Sequence, residues 1–100
     1  MVKHIVFWRL DKSLDAAARQ QAMQSIKAGF EQMRGNIPGL IRIEVGFNFA
    51  PGDDASDIAL YSEFESREAL DGYQDHPAHL AMLPVVRKVR VERRVVDYDA

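Results

Sequence analysis

The chain has 100 residues and 11.3 kDa, 47% hydrophobic and 28% charged, which suits a single domain over 1–100 and leaves no room for two. Its 13 Lys and Arg against 15 Asp and Glu give a formal net charge of −2, so the long-range positive field that gathers phosphate backbones is missing and nucleic acid is excluded as an expected partner. The absence of cysteine rules out disulfides, thiolate nucleophiles and cysteine zinc sites. No apolar run approaches the roughly 20 residues that cross a bilayer, and no small-residue cleavage site follows Met1, so the expectation is a cytoplasmic protein with no membrane partner.

From Val2 to Leu10 the residues alternate as in a strand, with Val2, His4, Val6, Trp8 and Leu10 on one face and Lys3, Ile5, Phe7 and Arg9 on the other. Ser13 reads as a helix N-cap with Asp15 in the first turn. Ala18, Ala22, Ile26, Phe30 and Met33 then recur at spacings of three to four, which predicts one amphipathic helix ending near Arg34-Gly35. After the stop at Gly35 to Gly39, the apolar residues Ile41, Ile43, Val45, Phe47 and Phe49 alternate with Arg42, Glu44, Gly46 and Asn48 in a half-buried strand. Ala50 to Ser56 is a turn, and Asp57 to Glu65 a third strand. Ser66 caps a short helix holding Leu70 and Tyr73. Proline at a first helical position makes His76 the next cap, so a second helical turn carries His79, Leu80 and Leu83 until Pro84 disturbs it. Val89 to Tyr98 closes the chain as a strand. The order βαββαβ is the split βαβ, ferredoxin-like α+β pattern, a four-stranded antiparallel sheet with its helices on one face.

In that topology the first and third strands are central and the second and fourth are edges. The helix-free face then carries Ile5, Phe7, Ala59 and Tyr61 at its centre and Arg42, Glu44, Arg90, Glu92 and Arg94 at its margins. An apolar centre within a charged rim is the composition of a protein interface, so a homodimer joined through this face is expected. A solvated sheet face with stray apolar residues is the plainer alternative.

The opening Val2 to Leu10, the Ile37-Pro38-Gly39-Leu40 hinge, and above all Phe64-Glu65-Ser66 with Tyr73-Gln74-Asp75-His76-Pro77-Ala78-His79 resemble the stress-responsive A/B barrel (Dabb) family across nearly the whole chain. The resemblance implies a homodimeric, dimeric α+β barrel. It implies less about activity, although one plant member of the family is a polyketide cyclase whose working tyrosine and histidine match Tyr73 and His79, and whose strand histidine matches His4. A further histidine of that cyclase falls at Asp57 or Ile58, and its aromatic helix positions fall at Ile26, Lys27 and Phe30, so the resemblance implies a pocket of different shape and polarity and a different substrate.

The three histidines are the only side chains with ordinary pKa values near neutrality. By strand parity His4, Arg93 and Asp97 face the helices. An Asp97 to His79 hydrogen bond would fix the imidazole tautomer and leave the other nitrogen as a base, with Tyr73 donating to a developing oxyanion or enolate. Tyr73, His79 and Asp97 are therefore the candidate catalytic residues. His4, Trp8, Ile26, Phe30 and Arg93 are the candidate substrate-binding ones, with Arg93 binding a carboxylate or neutralising Asp97. On the plainer account Tyr73 packs its ring under the sheet, His79 bonds the last strand, His4 is a buried hydrogen-bonder, and the Ile26-Phe30-Met33 stripe is core. His76 and His79 lack a zinc-type spacing, so no metal is expected. The expected function is cofactor-free acid/base chemistry on a small hydrophobic metabolite. A non-catalytic stress-related structural or interaction protein is the alternative, and a monooxygenase ranks last because the sequence has no cysteine, haem-binding motif or dinucleotide loop.

Overall fold

A computed structural model describes residues 1–100. The elements run β1 (Val2–Leu10), α1 (Ala16–Glu31), β2 (Leu40–Phe47), β3 (Ile58–Phe64), α2 (Arg67–Asp75), α3 (Pro77–Arg87) and β4 (Arg90–Asp99). The four strands form one antiparallel sheet in the order β2-β3-β1-β4. The ferredoxin-like βαββαβ architecture and the central placement of β1 and β3 agree with the alternation read from the sequence. No helix is long and apolar enough to cross a membrane.

Local chemistry sets most boundaries. The α1 cap is Asp15 rather than Ser13, because the Asp15 carboxylate accepts from Ala18 N at 2.8 Å while Ser13 N is turned back onto Asp11 Oδ1 at 2.9 Å. Ser66 caps α2 by accepting from Ala69 N at 3.1 Å, and the His76 ring accepts from Ala78 N at 3.0 Å, just before Pro77 at the first position of α3. Pro84 does not end α3, which continues to Arg87. Pro84 and Leu80 both lie on the exposed face, so the carbonyl that loses its partner to proline meets water instead. Gly39 sits at φ +78° in the hinge before β2, and a Cβ there would stand 2.5 Å from the Ala69 Cβ of α2. Only glycine satisfies both constraints.

Two irregularities correct the simple parity count. β2 shifts register between Leu40 and Arg42, so Ile41 is the odd residue out and is exposed while Ile43 and Val45 are buried. The strand also stops at Phe47, leaving Phe49 fully exposed in the following loop. β4 shifts where Arg9 faces Glu92 and Leu10 faces Arg90. Beyond that bulge, Glu92, Arg94, Val96 and Tyr98 are opposite Arg9, Phe7, Ile5 and Lys3 on the helix-free face, as the alternation indicated. Arg90, paired with the buried Leu10, is carried to the helix side rather than to the helix-free rim, since an extra residue in a strand flips every side chain beyond it.

The core lies between the sheet and the helices. Val6, Trp8, Leu10, Leu60 and Phe64 from the central strands pack against Ile26, Phe30 and Met33 from α1, with Leu70 and Tyr73 from α2 and Met82 and Val86 from α3 closing one end. Each large apolar side chain so buried contributes about 1.5–3 kcal/mol relative to exposure. On the opposite face Ile5, Ala59 and Tyr61 are half-buried and Phe7, Val96 and Tyr98 are exposed, a contiguous apolar strip in a single chain.

Candidate functional site

The break between α2 and α3 brings Tyr73 and His79 together. Six residues apart and on different helices, their rings pack at 4.6 Å between centroids and 53° between planes. The Pro77 restart turns α3 so that His79 looks back toward Tyr73, and the His79 Nδ1–H donates to the Gln74 carbonyl at 3.0 Å. That bond fixes the tautomer and leaves Nε2 with a free lone pair. Burial holds the His79 pKa below its ordinary 6.5; the Gln74 bond opposes this, and the charges of His4 and Arg93 reinforce it. The imidazole is therefore neutral at pH 7 and able to accept a proton.

Tyr73 is fully buried, with its ring 5.0 Å from Phe64 and 6.0 Å from His4. Its hydroxyl has no hydrogen-bond partner. Burial raises the phenol pKa, with the Arg93 charge pulling the other way, so the group keeps its proton and can serve as a neutral donor.

Asp97 does not reach His79 as the parity argument expected. It lies directly across from His4 in the β1–β4 ladder and takes the His4 Nδ1–H instead. Register decides this outcome: two residues facing each other on neighbouring strands are in contact range, whereas His79 lies a helix layer above. The carboxylate fixes the His4 tautomer, so its Nε2 is the free nitrogen.

A pocket of about 350 Å³ opens beside these groups, lined by His4, Tyr73, His79, Trp8, Phe30 and Arg93 among others. It stands at the small end of the range for ligand clefts. Trp8 and Phe30 stack at 5.4 Å as one apolar wall, and Phe30 approaches His79 at 6.5 Å. Ile26 is fully buried and does not line the pocket, so its place is in the core. Asp97 is likewise absent from the lining and touches it only by way of its bond to His4. Asp57, one of the two positions at which the family resemblance implied a counterpart to a further histidine, accepts from Leu10 N at 2.7 Å and Arg19 at 2.8 Å, away from this pocket. His76 is spent on capping α3, and no cluster of three His, Cys, Asp or Glu side chains is placed to hold a metal ion. Gln74, Met82, Leu83 and Val86 also line it, together with Arg87 and Arg90. The helical spacing of Met82, Leu83 and Val86 on α3 was a usable signal for part of this wall, whereas the bulge that delivers Arg90 left none.

Fold and site together define a ferredoxin-like α+β protein with a polar-tipped apolar pocket between its sheet and its helices. The chain belongs to the Stress responsive A/B Barrel Domain family, Dabb, which it matches over residues 2–100. It is 31% identical over 91 residues to an uncharacterised protein of Streptomyces coelicolor, covering 88% of this chain and 89% of the relative. A dimeric ferredoxin-like protein of unknown function from Bacteroides fragilis superposes with a TM-score of 0.91 at 34% identity, over 99% of this chain and 95% of that one. A hydroxynitrile lyase from Passiflora edulis superposes with a TM-score of 0.80 over 97% of this chain and 90% of that one, and at 22% identity shares the fold alone.

Proposed function

We propose that the pocket binds a small hydrophobic metabolite and transforms it by cofactor-free acid/base chemistry, with His79 as the base and Tyr73 as the donor to the oxyanion or enolate that develops. The observation that carries this reading is the buried Tyr73 hydroxyl without an internal partner, in the same pocket as two imidazoles whose Nδ1–H is already committed. A buried hydroxyl left unsatisfied costs about 1–3 kcal/mol, and a ligand oxygen is the group that would recover it. His4, oriented by Asp97, lies beside the reacting atoms, while Trp8 and Phe30 hold the apolar body and Arg93 stands at the mouth. The chemistry open to this set is enolisation, aldol-type closure or addition and elimination at carbon next to a carbonyl. A hydroxynitrile lyase on the same fold is compatible with it. A non-catalytic structural role would suit a core filled by its own side chains, and the open pocket weighs against it.

The working unit in this reading is a homodimer joined through the helix-free face. Support comes from the apolar strip of Ile5, Phe7, Ala59 and Tyr61, extended on β4 by Val96 and Tyr98, and from the dimeric relative at 34% identity.

Deuterium exchange tests the chemistry. Phenylacetone and related apolar ketones in D2O should lose their α-proton NMR signals faster with the protein than in buffer, and both Tyr73→Phe and His79→Ala should abolish the acceleration while remaining folded. Exchange at the buffer rate across the set, or acceleration that survives both substitutions, would refute the assignment.

A further inference from the structure

The buried part of the pocket holds Tyr73 and His4 beside the apolar Trp8 and Phe30, and its more exposed part is cationic. Arg87 at the end of α3 and Arg90 and Arg93 on β4 all line it, and no Asp or Glu does. None of the three forms an ion pair or a side-chain hydrogen bond. The carboxylates nearest along the strand are engaged elsewhere, Glu92 with Arg94 at 3.2 Å and Asp97 with His4. Single arginines in water are ordinary, but three facing one concavity without a counter-charge concentrate positive potential there in a chain whose net charge is −2. The fully buried, unpartnered Tyr73 hydroxyl in the same pocket independently points to a bound molecule. Arg93 also acts electrostatically on both Tyr73 and His79, which places its charge within range of the reacting groups.

We propose that the pocket takes a small amphipathic oxyanion, an apolar body ending in a carboxylate or a phosphate monoester, with the head group held by Arg87, Arg90 and Arg93 and the body lying against Trp8 and Phe30. The guanidinium fork suits either head group because it donates two parallel N–H bonds to a planar or tetrahedral oxyanion. The Arg90 contribution depends on the β4 bulge, without which its side chain would lie on the other face of the sheet. This assignment rests on the reading of the pocket as a ligand site and adds the class of ligand. It also gives the arginines a second effect: an anion that neutralises Arg93 removes one of the charges depressing the His79 pKa, so binding makes His79 a stronger base.

The test uses 4-phenylbutyrate, its uncharged isostere 4-phenylbutyramide, and 3-phenylpropyl phosphate, titrated calorimetrically and by NMR of the His79 ring and Trp8 indole. At least one of the two anions should bind about tenfold or more tightly than the amide, and the tighter of the two identifies the head group. Arg90→Gln and Arg93→Gln should each shrink that preference and the triple Arg87, Arg90 and Arg93→Gln variant should erase it, leaving the thermal midpoint unchanged because these side chains make no internal bonds. The His79 pKa should rise on anion binding and stay put with the amide. Equal binding of acid, phosphate and amide, with shifts at His79 and Trp8, would overturn the oxyanion assignment and leave the pocket reading standing. A preference that persists in the triple variant would overturn it as well, and failure of all three probes to bind would overturn both.

Discussion

Replacing Tyr73 by Phe removes one oxygen and leaves the ring. That ring packs at 4.6 Å from His79 and 5.0 Å from Phe64 and is fully buried, so the substitution opens no cavity of consequence. The oxygen itself is buried without a partner, and a group in that state disfavours folding by about 1–3 kcal/mol. Tyr73→Phe should therefore stabilise the ligand-free protein by about 1 kcal/mol, which for a domain of this size raises Tm by about 4–8 °C. Urea unfolding and calorimetry at pH 7 measure this directly. Tyr73→Ala is the control for ring packing and should instead destabilise by about 3–5 kcal/mol. In the exchange assay the same Phe variant should fall by about 10²–10³-fold, the usual effect of deleting one oxyanion donor. A gain in stability with a loss of activity is the signature of a group retained for function against folding. Destabilisation of Tyr73→Phe by 1 kcal/mol or more, on the order of a lost hydrogen bond, would show that the hydroxyl is satisfied within the folded chain and would refute the reasoning.

The depressed His79 pKa carries a pH dependence whose sign is determined. Between that lowered value and 6.5 the unfolded chain binds more protons than the folded one, so stability present above pH 6.5 is lost as the pH falls through this window. His79→Gln should flatten the slope, and NMR titration should place the His79 midpoint below 6.5, whereas a midpoint above it would contradict the burial argument. At the helix-free face, Phe7→Glu sets a carboxylate beside Ala59 in the middle of the apolar strip. Light scattering at micromolar concentration should then change from twice the 11.3 kDa of one chain to that mass itself, with Phe7→Leu remaining double. A wild-type mass of one chain would remove the dimer reading.

Much of the molecule was legible along the chain. Alternation over Val2–Leu10 and Ile58–Phe64 specified the two central strands and which side of each meets the helices, because strand side chains alternate with period two and the buried face must be apolar. Pro77 marked the break that makes two helices of the second crossover, and the Tyr73 to His79 segment spans the two rings that this break packs together. Boundaries were less secure where two polar side chains competed for one role, as Ser13 and Asp15 did for the α1 cap.

Tertiary structure alone decided what those residues touch. Asp97 was assigned to His79 from its face, yet its partner is His4, because cross-strand register brings these two side by side and parity only says which layer each enters. The family resemblance puts Ile26 among the pocket residues while its helical spacing reads as core, and packing against the sheet leaves it in the core. Arg90 moved from one face to the other through a single extra residue in β4, and three arginines of distant roles in the sequence became one cationic rim. The physical reason is common to all three. Periodicity is a local property of the backbone, fixed by how successive side chains point, whereas contacts between elements depend on register and bulges that are settled only when the whole sheet and its helices pack together.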